Sequence, residues 1–313
     1  MRVLVTGAAG FIGSHLCEAL LDGGHEVLAL DGFVPSYPRA DKEANLAALI
    51  GRARFSFLEA DLRSDPLDRH LDGVDAVINE AAMAGLARSW AEFDLYVGCN
   101  LVGLQRLLDA AVRAGVGRFV QASTSSVYGL EAVGDEDRPL RPVSPYGVSK
   151  LAAEQLIVAY VAEFDLSAVI LRYFSIFGPR QRPDMAYHRF IEAMVDGRPI
   201  TVHGDGEQTR SNTYVADCVR GTMLALDRAP IGATYNIGGG DVISLNEAIA
   251  TIAEALETRP RIERAPRARG DQRHTAADIG RASDALGFRP EMPVREGLRR
   301  QVEWHLRRRA ARR

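Results

Sequence analysis

The sequence predicts a doubly wound parallel α/β sheet followed by a smaller, irregular C-terminal lobe. Strand-length apolar runs alternate with helix-period segments as far as about Tyr173. A glycine turn joins the first strand to the first helix. Beyond Gly178 the alternation breaks, and Pro179, Pro183, Pro199 and Pro230 with Gly197, Gly204 and Gly206 mark loops. At 313 residues the chain is long enough for a large core or two domains.

Arg2–Thr6 is a Val- and Leu-rich run of the kind that forms a buried parallel strand. Gly7-Ala8-Ala9-Gly10-Phe11-Ile12-Gly13 follows, then Ser14–Gly24 has helical spacing through Leu16, Ala19 and Leu20. The next strand, Glu26–Leu30, leads into Asp31. This βαβ context is what a nucleotide-binding glycine motif requires. Gly7 permits the tight turn, Gly10 a close approach of backbone to a pyrophosphate, and Gly13 close packing of helix on strand. Asp31, eighteen residues past Gly13, stands where a carboxylate accepts hydrogen bonds from an adenosine ribose. Gly32 and Phe33 follow it, with no Arg to meet a 2′-phosphate, so NAD is favoured over NADP.

Further strands are expected at Arg54–Glu59, Ala76–Ile78, Phe119–Ala122 and Ala168–Arg172. Thr234–Ile237 is expected to return a strand to the first unit. The predicted organisation is a Rossmann-type domain over 1–174 plus about 212–238, and a discontinuous substrate domain over 175–313. Asp241–Leu256 has a helical pattern, and the closing helix lies near Arg295–Leu306. The Arg-rich end, Leu306–Arg313, reads as a frayed, solvated tail.

Composition is ordinary, with 47% apolar and 25% charged residues and a net charge of −3, so no global field recruits nucleic acid or a membrane. Cys17, Cys99 and Cys218 lie far apart in apolar segments, as reduced thiols of a cytosolic protein would. The seven histidines lack metal-ligand spacing and no metal site is expected. No signal peptide or membrane-length apolar run is visible.

Chemistry concentrates in two segments, Ala122–Gly129 and Ser144–Lys150. Tyr146 and Lys150, four apart on a helix, share one face. A phenol is a poor base at neutral pH, and a nearby ammonium favours the phenolate. The strand ending near Ala122 delivers Ser123 and Thr124 to the C-terminal edge of the sheet, where open α/β sheets bind ligands. A Thr124 hydroxyl there can hydrogen-bond a sugar hydroxyl whose proton Tyr146 exchanges.

The GxxGxxG spacing together with YxxxK resembles the extended short-chain dehydrogenase/reductase family, from Arg2 to about Trp304. Asp61-Leu62, Asn79-Glu80-Ala81-Ala82, Asn100, the Ser/Thr cluster and Leu171-Arg172-Tyr173-Phe174 fall in the family's order. The resemblance implies cofactor contacts at Gly7, Gly10, Phe11, Ile12, Gly13, Asp31, Asp61, Leu62, Ala81, Ala82, Asn100, Ser123, Tyr146, Lys150 and Tyr173. It implies a catalytic set of Thr124, Tyr146 and Lys150, and a tightly bound, recycled NAD. Asn79 departs from the family's usual His. Family 4,6-dehydratases carry acids where this chain has Ser125 and Ser126, so the resemblance points to a sugar-nucleotide 4-epimerase working through a 4-keto sugar. Arg210 matches a diphosphate clamp, and Arg267, Arg269 and Asp271 resemble a second nucleotide-binding segment, which suggests a UDP-sugar. Ser175 and the run Arg182-Pro183-Asp184-Met185-Ala186 look like those of UDP-glucuronate 4-epimerases, with Arg88, Ser125 and Ser126 also expected at the sugar. UDP-glucose or UDP-N-acetylglucosamine epimerisation, dehydration or decarboxylation, and NAD sensing remain alternatives. Relatives pair through two helices, and Leu156, Ala159 and Tyr160 allow the same homodimer.

Overall fold

The computed structural model describes residues 1–267 and 272–311. Seven strands form the central sheet: β1 (Arg2–Thr6), β2 (Glu26–Asp31), β3 (Phe55–Glu59), β4 (Ala76–Asn79), β5 (Arg118–Thr124), β6 (Ala168–Tyr173) and β7 (Thr234–Ile237). Their order is β7-β6-β5-β4-β1-β2-β3, all parallel. The order reverses between β1 and β4, and there the loops leaving the two strands diverge to open a crevice at the C-terminal edge. Several strands run past the apolar stretches that announce them. Asp31, Asn79, Thr124 and Tyr173 are the last residues of their strands, because the ladder continues into polar side chains, of which Asp31, Thr124 and Tyr173 line the crevice.

Alternation along the strands supplies two buried faces. Val3, Val5, Val27 and Ala29 pack with Leu16 and Leu20 of the Phe11–Asp22 helix and Val219 and Leu226 of the Val215–Arg228 helix. On the other face Leu4, Leu28, Val77 and Phe119 meet Leu104, Leu107 and Leu108 of the Gly103–Ala114 helix and Ile157 of the Pro145–Phe164 helix. Each buried Val, Leu, Ile or Phe among them contributes about 1.5–3 kcal/mol. Cys17, Cys99 and Cys218 are free, and no helix among the described residues is long and apolar enough to cross a membrane.

The second layer is built from short pieces. A four-stranded sheet joins Val242–Ser244, Thr209–Ser211, His274–Ala277 and Glu131–Gly134, so a segment from the first half of the chain crosses into the later sheet. Three boundaries differ from expectation. The first helix begins at Phe11 rather than Ser14, which puts Gly13 inside it. Within Asp241–Leu256, Val242–Ser244 is a strand. The helix starts at Leu245 because Ser244 and Glu247 form a reciprocal capping box. The closing helix runs Val294–Ala310. Its Arg-rich end is not a solvated tail. Arg308 pairs with Asp41, and Arg309 reaches Glu192 at 2.7 Å and Asp196 at 2.6 Å.

One buried ion pair ties the Pro145–Phe164 helix to the sheet. Glu154 takes the Arg172 guanidinium at 2.8 Å (Nη2) and 3.1 Å (Nε), with side-chain exposures of 2% and 6%. Ser123 Oγ donates to Glu154 at 2.5 Å, and Arg172 Nη1 donates to the Tyr128 hydroxyl at 2.9 Å and the Glu136 carbonyl at 3.0 Å. Removing one partner strands the other charge in the core. Glu154→Ala is therefore expected to lower unfolding free energy by about 3–5 kcal/mol, read from the urea midpoint at unchanged m-value. A loss within ~0.5 kcal/mol, the range of an ordinary surface substitution, would show that the pair is not an anchor.

Candidate active site

The crevice is walled by the glycine turn, the ends of β2, β4 and β5, the start of the Pro145–Phe164 helix, and residues from the second layer. Gly7 has φ +63, and a Cβ there would meet the Ala81 nitrogen at 2.8 Å and the Glu80 carbonyl carbon at 2.9 Å. A Cβ on Gly13 would drive into the Gly7 carbonyl. The turn is thus closed to side chains, leaving backbone and the helix N-terminus facing the cavity, as a pyrophosphate needs. Phe11, Ile12, Leu62, Ala81 and Ala82 also line it.

At the end of β2, Asp31 accepts hydrogen bonds from Ala9 N at 3.1 Å and Phe33 N at 2.8 Å. Lys42, which no sequence motif singles out, stands 3.7 Å from Asp31 and donates to the Val34 carbonyl. The ammonium and the two backbone amides hold the Asp31 carboxylate in place at the cavity wall. Asp61 lines the cavity with its carboxylate held by Arg63 at 2.6 Å, which lowers its pKa below the usual range. These features fit a dinucleotide, with Gly7, Gly10 and Gly13 at the phosphates and Asp31 at the ribose.

Ser123, Thr124, Tyr146 and Lys150 meet at the middle of the crevice. Ser144 caps the Pro145–Phe164 helix by accepting from Gly147 N at 3.1 Å, and Pro145 occupies its first position. That entry puts Tyr146 in the first turn and Lys150 one turn deeper. Tyr146 packs edge-on to Tyr96, and the Thr124 hydroxyl stands close enough to favour its phenolate. The expectation that Lys150 lowers the phenol's pKa does not hold in this geometry. Burial raises Tyr146 above its ordinary value, while the Thr124 hydroxyl and the Arg182 charge pull it back. Lys150 donates instead to the Ala122 carbonyl at 2.6 Å, and burial brings its pKa down to about 8 against the attraction of Glu80 and Glu154. An ammonium used by a carbonyl and depressed by desolvation has less field to spend on the phenol.

Other expected contacts separate. Tyr173, Ser175, Arg182 and Met185 line the crevice. Ser175 holds φ +42, a conformation that costs a non-glycine residue on the order of 1–2 kcal/mol. Arg182 gives its Nε and Nη2 to Asp184, both at 2.9 Å, leaving Nη1 without a hydrogen-bond partner among the described residues. The wall does not include Asn100, Arg88, Ser125, Ser126, Ala186 or Arg210. Asn100 is buried and props the cavity loop through Met83 N and O, at 2.8 and 3.0 Å, and Ser149 Oγ. Arg88 is bound by Glu92 at 2.7 Å. Ser125 and Ser126 open a 3-10 turn in which Thr124 Oγ1 accepts from Ser126 N at 3.2 Å, and the turn carries the chain out of the wall. Ser123 spends its hydroxyl on Glu154. Ala186 opens the Ala186–Val195 helix, and Arg210 donates to the Thr209 carbonyl at 2.9 Å. Arg269 and Asp271 lie outside the described residues, and Arg267 is exposed.

Asn79 accepts from Thr6 Oγ1 at 2.5 Å and donates to Gln121 at 2.9 Å, so the amide stitches β1, β4 and β5 beneath the site. Glu80, next in sequence, lines the crevice and is missed by sequence reasoning. Only its position at the end of β4 signals it. His188, Glu192 and His305 also look scattered in the sequence, yet they place one ligating atom each within 4.8 Å of one another. His188 and Glu192 are four apart on one helix and His305 joins through the fold. Glu192 is committed to His305 at 2.7 Å and Arg309 at 2.7 Å, which joins the two helices.

Comparison with known proteins places these residues in context. Residues 3–238 match the model of the NAD dependent epimerase/dehydratase family. An uncharacterised UDP-glucose epimerase of Bacillus subtilis is 41% identical over 97% of this chain and 98% of its own. A dTDP-glucose 4,6-dehydratase of Streptomyces griseus is 38% identical over 97% of this chain and 94% of its own. The crystal structure of a UDP-glucuronic acid 4-epimerase from Bacillus cereus, in complex with UDP-glucuronic acid and NAD, superposes with a TM-score of 0.96. It is 39% identical, covering 98% of this chain and 99% of that one.

Because a Cβ at position 13 has no space, Gly13→Ala is expected to purify with at least about tenfold less bound NAD, a ~1.4 kcal/mol weakening, measured by release of nucleotide on acid denaturation. Wild-type NAD content in that variant would remove the glycine turn from the cofactor site.

Proposed function

The chain belongs to the NAD dependent epimerase/dehydratase family, and on that premise we propose that it is a 4-epimerase interconverting UDP-glucuronate and UDP-galacturonate. The observation that carries the uronate reading is Arg182, in the crevice wall, close enough to Tyr146 for its charge to act on the phenol, and with Nη1 uncommitted. A guanidinium edge is suited to a carboxylate. The glycine turn and Asp31 would hold NAD, which when bound would supply the hydride acceptor and donor for sugar C4.

The chain's own residues orient the sugar and move one proton. Tyr146, beside the Thr124 hydroxyl, takes the proton of the C4 hydroxyl as the carbonyl forms and gives it back when the alcohol is restored. Lys150, pinned by the Ala122 carbonyl, presents its remaining donors toward the cavity. The 4-keto uronate is a β-keto acid and loses carbon dioxide when its carboxylate aligns with the carbonyl π-system. Holding the carboxylate by Arg182 and by the fixed Ser175 disfavours that alignment. Dehydration needs a carboxyl acid and base beside Thr124, and Ser125 and Ser126 supply none.

UDP-glucose is the second reading, supported by the Bacillus subtilis relative. NMR of the products from UDP-glucuronate separates the readings. UDP-galacturonate is expected, and turnover of UDP-glucose alone, or release of carbon dioxide, would overturn the uronate 4-epimerase. Tyr146→Phe in the same assay should lose about 10²–10⁴-fold in kcat with NAD still bound. Arg182→Leu should raise KM for the uronate far more than for UDP-glucose, and equal effects would assign Arg182 elsewhere.

We also propose a homodimer. Leu101, Val102, Gln105, Ala152, Gln155 and Leu156 line a shallow groove between the Gly103–Ala114 and Pro145–Phe164 helices, and Val102 and Val158 are exposed beside it. Ala159 is exposed, Leu156 is half-buried against the core with its free side on the groove, and Tyr160 turns inward to Asp109. Sedimentation velocity should give a dimer for the wild type and a monomer for Leu156→Arg. A wild-type monomer at micromolar concentration would refute the pairing. The three free thiols, two of them buried, suit a reducing cytosol.

A further inference from the structure

Three carboxyl side chains line the crevice among the described residues, and they stand at different ends of it. Asp31 ends β2 and Asp61 follows β3, on the side where the adenosine half of a dinucleotide is read. Glu80 follows β4, and no step assigned above uses it. The register of the sheet fixes its neighbours. Asn79 pairs with Gln121, so Glu80 comes level with Ala122, whose carbonyl holds Lys150 at 2.6 Å. Thr124 pairs with Tyr173, and the Tyr173 hydroxyl donates to Glu80 Oε1 at 2.7 Å. That leaves Oε2 without a hydrogen-bond partner among the described residues. Glu80 therefore belongs to the Thr124–Tyr146–Lys150 end of the crevice.

The reaction identifies what that end must hold. The hydride leaves sugar C4 and the proton leaves the oxygen on the same carbon. With Tyr146 taking the proton, the nicotinamide ring that takes the hydride lies beside it. Hydride transfer changes the charge of that ring, which is cationic as NAD⁺ and neutral as NADH. The alcohol becomes a ketone, and its proton passes to Tyr146. A fixed negative charge near the ring thus favours the states before transfer and after hydride return over the keto state between them.

We propose that Glu80, as a carboxylate, sets the redox balance of the bound nicotinamide, holding it toward NAD⁺ and so shortening the life of the 4-keto sugar. The Tyr173 hydrogen bond and the Lys150 charge favour ionisation, against burial, which pushes the carboxyl up to about 7. A cationic ring nearby favours it further. The titratable groups facing Glu80 are Lys150 and Tyr146 from the Pro145–Phe164 helix, Tyr173 from β6, and Cys218 from the Val215–Arg228 helix. Lys150 is the cation among them, and its engagement by the Ala122 carbonyl keeps its offset of Glu80 partial. The inference rests on Tyr146 marking the nicotinamide end, which turnover of Tyr146→Phe tests separately, and not on which sugar is bound.

The test is a redox titration of the NAD-loaded protein without substrate, above neutral pH. Glu80→Gln keeps an acceptor for the Tyr173 hydroxyl and removes the charge. At a given ambient potential its bound cofactor should show about tenfold more NADH relative to NAD⁺, a midpoint about 30 mV higher. An unchanged or lower midpoint would overturn the proposal. Glu80→Asp keeps the charge, and its midpoint should lie nearer the wild type than that of Glu80→Gln. Equal displacement in the two variants would reduce Glu80 to a structural support for Tyr173. During turnover at saturating substrate, Glu80→Gln should hold a larger fraction of its cofactor as NADH than the wild type. An equal or smaller fraction would show that the carboxylate does not govern the keto interval.

Discussion

The Arg172–Glu154 ion pair is the constraint on which the site depends. Glu154 lies four residues after Lys150 and eight after Tyr146, so all three project from neighbouring parts of one helical face. Fixing Glu154 against β6 fixes where Tyr146 and Lys150 stand over β5. Ser123 donates to the same carboxylate from β5, one residue before Thr124. Arg172 also holds the Tyr128 hydroxyl, which donates to Asn236 of β7 at 2.7 Å. Three strands and one helix are thus indexed to a single buried carboxylate. Such a pair adds little net stability over a well-packed apolar alternative. Its effect here is to set the register of a rigid helix, and a catalytic hydroxyl–phenol contact cannot tolerate an error of an ångström.

Around that frame, burial dominates the electrostatics. The phenol of Tyr146 is raised, Lys150 is brought down to about 8, and Glu80 is pushed up to about 7. Lysine and carboxyl groups with ordinary values far apart are drawn toward neutral pH by the same desolvation, the condition under which proton transfer becomes responsive to substrate. Arg182 adds a positive charge at the sugar end, partly cancelled by Asp184. An epimerase with no net redox change needs this moderation, because a site that stabilised the keto sugar too strongly would not return the hydride.

Much of this architecture is legible in the order of residues. The glycine turn, Asp31 and the Tyr146–Lys150 spacing depend on local geometry, and local geometry is written in consecutive residues. The apolar patterns at Arg2–Thr6 and Thr234–Ile237 match the observed strand boundaries. What the spacing cannot show is a side chain's partner set by the fold. Arg88, expected at the sugar, is held by Glu92, and Asn100, expected at the cofactor, props the Met83 loop. The Arg-rich end reads as solvated because Asp41, Glu192 and Asp196 are more than a hundred residues away along the chain.

Consecutive residues suffice for the fold class, the dinucleotide turn, and the residue types available for proton transfer. These follow from strand and helix periodicity and from the steric demand of glycine, which act over a few residues. Which groups are buried together was settled by tertiary packing alone. That Lys150 serves the Ala122 carbonyl, that Ser125 and Ser126 leave the wall, and that Glu80 ends a chain running through Tyr173 to Thr222 are outcomes of packing between distant segments. Desolvation and hydrogen-bond satisfaction are properties of a closed three-dimensional environment, and no spacing along the chain encodes them.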